Sequence, residues 1–268
     1  MAFLRNNVPA AGGPRAVPAR ARPRGGFTLL ELLVVLAVIG VLAGLILSAA
    51  AVARQEARRV QCMSNLRQCV MAAQAYAADH GGQYPPAQAR AGGTLCAWDF
   101  KTTVAWGAGG KSVQVAPGLL WEGYGDGAVL QCPAYTGKAN WMNDPYSGFN
   151  YNTSYIGHGE GEPCPAPAYA AAVKDPAHCA LFGDGEYEGG ADKFMRAPCG
   201  DLEHGGDSPA YSGRSAGTQG FRHRGRTNVA FCDGHVESLA APYKPGGRGE
   251  VSPGCGFLSP DNSLYDLE

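Results

Sequence analysis

Residues 32–53 carry no charged side chain, and a single carboxylate, Glu31, stands at their head. A run of this length suits the ~20 apolar residues that a helix needs to cross a bilayer. The carboxylate is out of place there, because insertion scales set a charge within a spanning helix at about 2.5 to 3.5 kcal/mol. An ordinary anchor does not need it. A helix that docks beside an identical helix gains from it, since the carboxylate can meet a positive partner such as a neighbour's free amino terminus. A secretory signal peptide shares the positive start and the apolar stretch. This run is long for one, however, and no small-residue cleavage box follows it before Arg54. The preceding segment holds Arg5, Arg15, Arg20, Arg22 and Arg24 and no acid, which keeps the N-terminus cytoplasmic.

Past the membrane length the helix continues. Val60, Met63, Leu66, Val70, Ala73 and Ala77 recur at intervals of three and four, an amphipathic stripe, with Arg54, Glu56, Arg58, Arg59 and Arg67 on the polar side. Asp79-His80-Gly81-Gly82 and then Tyr84-Pro85-Pro86 stop it. Gly40 and Gly44 have the spacing that lets membrane helices approach closely, or are ordinary membrane-helix glycines. Glycine and proline become more frequent after this helix, which predicts a loop-rich domain of short strands. The alternation of Lys111 to Val115, the run Ala180-Leu181-Phe182, and the two runs flanking Asp233-Gly234 predict strands, the last pair as a hairpin. A two-residue turn there sets Phe231 opposite Val236, with Val229, Phe231 and Val236 on the buried face. Residues 81–112 and 133–178 read as mostly loop, and disorder is expected only in the leader and near the C-terminus. The fold class is α+β: one long N-terminal helix, transmembrane then amphipathic, packed on a small antiparallel sheet. The expected divisions are a leader, 1–26; a transmembrane half-helix, 27–53; an amphipathic half-helix, 54–80; and a β-rich domain, 81–268, containing the motif segment 223–239.

Net charge is −1, so nothing points to a nucleic-acid partner. There are nine cysteines and no CxxC pair. Export predicts disulfides, with at least one thiol left over, and two turns of helix separate Cys62 from Cys69 too far for a bridge. His223, Asp233 and His235 are weighed as metal ligands of an enzyme site, against Asp233 shaping a turn and His223 bonding a loop backbone. No other cofactor is implied, although Asp184, Glu186, Glu188 and Asp192, and also Asp201, Glu203 and Asp207, form acidic clusters of the kind calcium uses. The aromatic residues Trp98, Trp106, Trp121, Trp141, Tyr146, Tyr151 and Tyr155 read as core cover or as a binding surface for glycans or proteins. No nucleophile elbow, phosphate loop or HExxH is present.

The segment Arg24-Gly25-Gly26-Phe27-Thr28-Leu29-Leu30-Glu31-Leu32-Leu33-Val34-Val35 resembles the prepilin processing site of type IV pilins and type II secretion pseudopilins. The resemblance implies that a prepilin peptidase cuts after Gly26 and methylates Phe27, and that Glu31, the fifth mature residue, neutralises a neighbour's Phe27 amine. It implies a structural subunit, not an enzyme, in the bacterial inner membrane, single-pass, with its C-terminal domain extracytoplasmic. Its partners would be other pilin or pseudopilin subunits and the inner-membrane assembly platform of a type II secretion pseudopilus or type IV pilus-like filament. The alternative is a membrane-anchored binding protein, and a third reading is the metal-dependent enzyme. Arg58 to Gln68, with its Cys62-x-x-Asn65-Leu66-Arg67-Gln68 core and the Tyr84-Pro85 stop, resembles a subgroup of pseudopilin-like proteins. His223, nine intervening residues, then Asp233-Gly234 resembles a prepilin-associated H-x9-DG domain, as do Cys132-Pro133 and Phe149-Asn150-Tyr151-Asn152.

Overall fold

The computed structural model describes residues 26–107, 110–122, 127–140, 144–159, 166–187, 190–206, 217–240, 242–244 and 251–268. Helix α1 runs Leu29–Asp79. Gly81 and Gly82 end it with φ of 66° and 89°, and the Gly82 N–H donates to the Ala77 carbonyl at 2.7 Å, a Schellman closure that a side chain would strain. The chain divides into two units, Met1–Ala49 and Ala50–Glu268. In the first, the large apolar side chains of α1 are exposed, and the helix is long and apolar enough to cross a membrane. In the second, α1 buries one face: Cys62, Asn65, Leu66, Cys69, Val70, Ala73 and Ala77. This face is rotated from the expected stripe. Val60 is 55% exposed and Met63 only half-buried, while Cys62 and Cys69 are fully covered. Cysteine behaves as a small apolar residue and is among the most often buried, so the thiols belong in the stripe.

Strands β1 Gln88–Ala91, β2 Thr94–Ala97, β3 Phe100–Gly107 and β4 Gly110–Pro117 form an antiparallel meander. A second sheet has the order β10-β9-β6-β5-β7, from β5 Phe149–Asn152, β6 Ala180–Asp184, β7 Phe194–Met195, β9 Thr227–Phe231 and β10 Val236–Leu239. Its pairs are antiparallel except β5 with β7. A two-stranded sheet pairs β8 Gln219–Gly220 with β11 Cys255–Gly256. The long helix on antiparallel sheets is the α+β class read from sequence.

The details correct that reading in two places. Residues 81–112 are mainly strand, since β1 and β2 are four-residue pieces carrying Arg, Ala and Thr, whose pairing rather than propensity makes them strands. In the segment 133–178, β5 is a single four-residue strand and the other described residues are mostly loop, as read from sequence. Near the C-terminus the chain is ordered: Phe257, Leu258 and Tyr265 are buried, and the Tyr265 carbonyl accepts from Asn152 Nδ2 at 2.8 Å.

The core is aromatic at its centre. The Phe182 ring lies 5.2 Å from Trp98 and 5.0 Å from Tyr151, centroid to centroid. Their polar ends are satisfied, Trp98 Nε1 donating to the Lys193 carbonyl at 3.1 Å and Tyr151 OH to the Pro85 carbonyl at 2.9 Å. Beside them Lys193 Nζ sits between Asp99 at 2.6 Å and Asp144 at 2.9 Å, all three buried. Burial alone would lower the lysine pKa, but the two carboxylates outweigh it and hold it above the usual value. Burial lifts Asp99 above the usual carboxylate value, against the pull of Lys193. Lys193→Met leaves two buried carboxylates without a counter-charge and is expected to cost about 3 to 5 kcal/mol. The urea midpoint of the detergent-solubilised chain, read by the fluorescence of its tryptophans, checks this; an unchanged midpoint would remove the triad from the fold's energetics.

Candidate functional site

Gly26, Phe27 and Thr28 precede the first helical residue and have no regular structure. All three are exposed, and a Cβ on Gly26 would meet nothing within 4 Å. The Gly26–Phe27 bond therefore lies in irregular, accessible chain; residues 1–25 of the leader lie outside the described residues. At the helix head Thr28 and Glu31 form a reciprocal capping box. Thr28 Oγ1 accepts from Glu31 N at 3.2 Å, and Glu31 Oε2 accepts from Thr28 N at 2.8 Å. The Thr28 hydroxyl also donates to the same Oε2, at 2.8 Å. Thr-x-x-Glu ahead of an apolar run is a readable helix-start signal, and it gives Glu31 a local task besides the intermolecular one.

His223, Asp233 and Gly234 do not form one site. The chain folds back at Arg224-Gly225, whose φ of 57° and 77° make a primed two-residue turn, with His223 and Arg226 exchanging backbone hydrogen bonds at 3.0 and 3.2 Å. His223 thus precedes β9, and Asp233 follows its other end. The ligand set His223, Asp233 and His235 is not assembled, because the whole of β9 intervenes. Asp233 instead closes the hairpin: its Oδ1 accepts from His235 N at 2.9 Å and faces His235 Nδ1 at 2.6 Å. The hairpin loop has three residues, not two. Phe231 N donates to the His235 carbonyl at 3.0 Å, and Val236 pairs with Ala230 instead of Phe231. One positive-φ residue, Gly234 at 96°, suffices for such a loop, and since β9 is buried on both faces, alternation could not set the register.

The His223 side chain turns inward, away from the loop backbone. Its Nε2 lies 3.2 Å from Asp184 Oδ2 and 3.7 Å from Cys132 Sγ. Cys62 Sγ, from α1, lies 3.1 Å from Asp184 Oδ1 and 3.8 Å from Cys132 Sγ. All four residues are buried, and one ligand atom from each can be chosen so that all lie within 4.8 Å of one another. The fold builds this cluster from four distant places. Asp184 ends β6, where the Asn228 N–H of β9 donates to its Oδ2 at 2.7 Å. Cys132 is admitted because Gly148 (φ 114°) passes beside it; a Cβ there would come within 2.8 Å of the Cys132 Cβ. Arg222, next to His223, reaches Asp184 Oδ1 at 3.4 Å and the Gly148 carbonyl at 2.9 Å.

The electrostatics are tightly coupled. Burial opposes a charged His223, yet Asp184 and Cys132 overcome it and push the ring up to about 9. Burial would raise Asp184, but His223 and Arg222 leave it below the usual carboxylate range. Burial drives the Cys62 thiol up, while the Cys132 thiol, in contact with Cys62, is drawn down. None of the eight described cysteines is in a disulfide; Cys164 lies outside the described residues.

The acidic clusters are separated by their partners. Asp184 faces His223, Glu186 meets Arg222 at 3.3 Å, Asp192 accepts from Phe194 N at 2.8 Å, and Asp201 pairs with His204 at 2.9 Å. Glu203 is exposed, while Glu188 and Asp207 lie outside the described residues. Of the aromatics, Trp98, Tyr151 and Tyr155 are core, Trp121 and Tyr146 half-buried, Trp106 exposed, and Trp141 outside the described residues. A groove of about 670 Å³ beside the end of α1 is lined by Met71, Tyr76, Leu120 and Trp121, among others.

Residues 21–47 match the family described as Prokaryotic N-terminal methylation motif. Residues 51–121 match the family described as Protein of unknown function (DUF1559). No curated protein and no solved structure matches the chain.

Replacing Gly234 by Ala isolates the turn, because its Cβ would meet only Gln74 Nε2, at 4.0 Å. The expected cost is about 1 to 2 kcal/mol of backbone strain. A thermal unfolding series checks it: Gly234→Asn should fall between the parent and Gly234→Ala.

Proposed function

We propose that the chain is a type IV pilin- or pseudopilin-like prepilin subunit, cut between Gly26 and Phe27, methylated on Phe27 and assembled into a pseudopilus or pilus-like filament. The carrying observation is the N-terminal methylation motif across the head of a helix long and apolar enough to span a membrane. The exposed, irregular Gly26–Phe27 junction supports cleavage by a prepilin peptidase. The arginine-rich leader supports a cytoplasmic start and an extracytoplasmic domain.

Glu31 supports assembly through charge. Its carboxylate has about four lone-pair positions, and the capping box engages Oε2. A neighbour's Phe27 amine can take the remainder, and in hydrocarbon such a pairing offsets the cost of the buried charge. The exposed apolar flank of residues 29–52 gives identical helices a surface to share. Nothing in this role requires catalysis.

A second reading, a membrane-anchored binding protein, draws on the groove beside Tyr76 and Trp121. Cross-linking separates the two. A filament subunit gives self-contacts at positions along residues 32–53, whereas a lone tethered protein gives none.

Mass spectrometry of the native protein is expected to find methylated Phe27 at its N-terminus, and Gly26→Leu is expected to leave the precursor uncut. Glu31→Leu is expected to be processed yet to lose filament assembly. Normal filaments from that variant would remove the pairing role.

A further inference from the structure

We propose that Cys62, Cys132, Asp184 and His223 bind one zinc ion, a closed structural site that pins the buried part of α1 to the second sheet. The argument begins with shape. A tetrahedral zinc ion with Zn–S of ~2.3 Å and Zn–N or Zn–O of ~2.0–2.1 Å sets ligand edges of roughly 3.8 Å for two sulfurs, roughly 3.6 Å for sulfur and nitrogen, and roughly 3.3 Å for nitrogen and oxygen. The corresponding separations are 3.8 Å from Cys62 Sγ to Cys132 Sγ, 3.7 Å from Cys132 Sγ to His223 Nε2, and 3.2 Å from His223 Nε2 to Asp184 Oδ2. Three edges of the tetrahedron are already in place, on side chains that come from a helix, a loop, a strand end and a turn.

Donor chemistry selects the ion. Two thiolates and an imidazole are poor ligands for calcium or magnesium, which take oxygen, whereas tetrahedral sulfur and nitrogen sites hold zinc. Charge is then largely offset. Two thiolates and one carboxylate carry three negative charges; a divalent ion removes two, and the half-buried Arg222 guanidinium, shared between Asp184 and Glu186, offsets part of the third. The carboxylate is held in place by Asn228 N, 2.7 Å from Oδ2, and by Arg222, 3.4 Å from Oδ1, the kind of outer support that metal-bound carboxylates receive. With four protein ligands, all buried, no position is left for water or substrate. The site therefore holds structure and supplies no catalysis.

The competing chemistry at the same atoms is a Cys62–Cys132 disulfide, which would remove both thiolates. The test uses the full chain, purified in detergent without chelator or reductant. Elemental analysis is expected to give one zinc per chain. Replacement by cobalt is expected to give the intense visible absorption of a tetrahedral, thiolate-bound ion. Cys132→Ser and His223→Ala are expected to lose the ion, and Cys96→Ser, outside the cluster, to keep it. Should the ligand variants fail to fold, the cobalt spectrum and the non-reduced intact mass of the unaltered chain still decide. A chain that takes up neither metal, or whose mass shows Cys62 joined to Cys132, overturns the proposal.

Discussion

Asp184 is the constraint around which the domain is arranged. Its carboxylate has no contact with solvent, yet it is held charged, and a buried charge survives only when its partners are in place. Those partners come from every side. Cys62 brings α1, Asn228 brings β9, and Arg222 and His223 bring the turn that precedes it. Truncating any one of them leaves a charge or a donor stranded in the interior. The polar centre therefore fixes how helix and sheet meet more sharply than the surrounding apolar contacts do, since apolar packing is non-directional.

The same helix faces two surroundings. Toward its start the exposed side chains are Leu, Val and Ile, and toward its end the exposed ones include Arg54, Arg58 and Arg67. One continuous backbone ladder satisfies the helix's own polar groups along its length, so a single helix can carry an apolar exposed stretch long enough to cross a membrane and then a buried face without a break. The change lies in the side chains alone. Within the domain, small residues such as Cys62, Cys69, Ala73 and Ala77 make up much of the buried face.

Much of this was legible in the residues. The apolar run, the Gly81-Gly82 stop and the strands flanking Asp233-Gly234 rest on local signals, and local signals survive folding. The register of that hairpin did not survive, because a strand covered on both faces has no polar side to mark its phase. The short meander strands β1 and β2 were illegible, since their stability comes from neighbours and not from composition. The buried cluster was illegible for a different reason. Cys62 lies 122 positions from Asp184, and Cys132 lies 91 from His223, so no spacing rule joins them. Each stood inside a motif fragment or an acidic run, but only the fold shows that the fragments converge. The Thr28–Glu31 box was readable and was overshadowed by the processing motif that contains it.

The binding of Asn152 to the Tyr265 carbonyl, 113 positions away, bears on the order of events during folding. A polypeptide made from its amino end forms the central sheet strand by strand, with one edge of its hydrophobic interior uncovered. Cys179 Sγ also donates to that carbonyl, at 3.5 Å, and the Tyr265 hydroxyl accepts from Leu258 N at 2.7 Å. Closure thus waits for nearly the whole domain to emerge. Until then the sheet keeps an uncovered apolar edge, and residues 258–265 act as a latch that closes the domain.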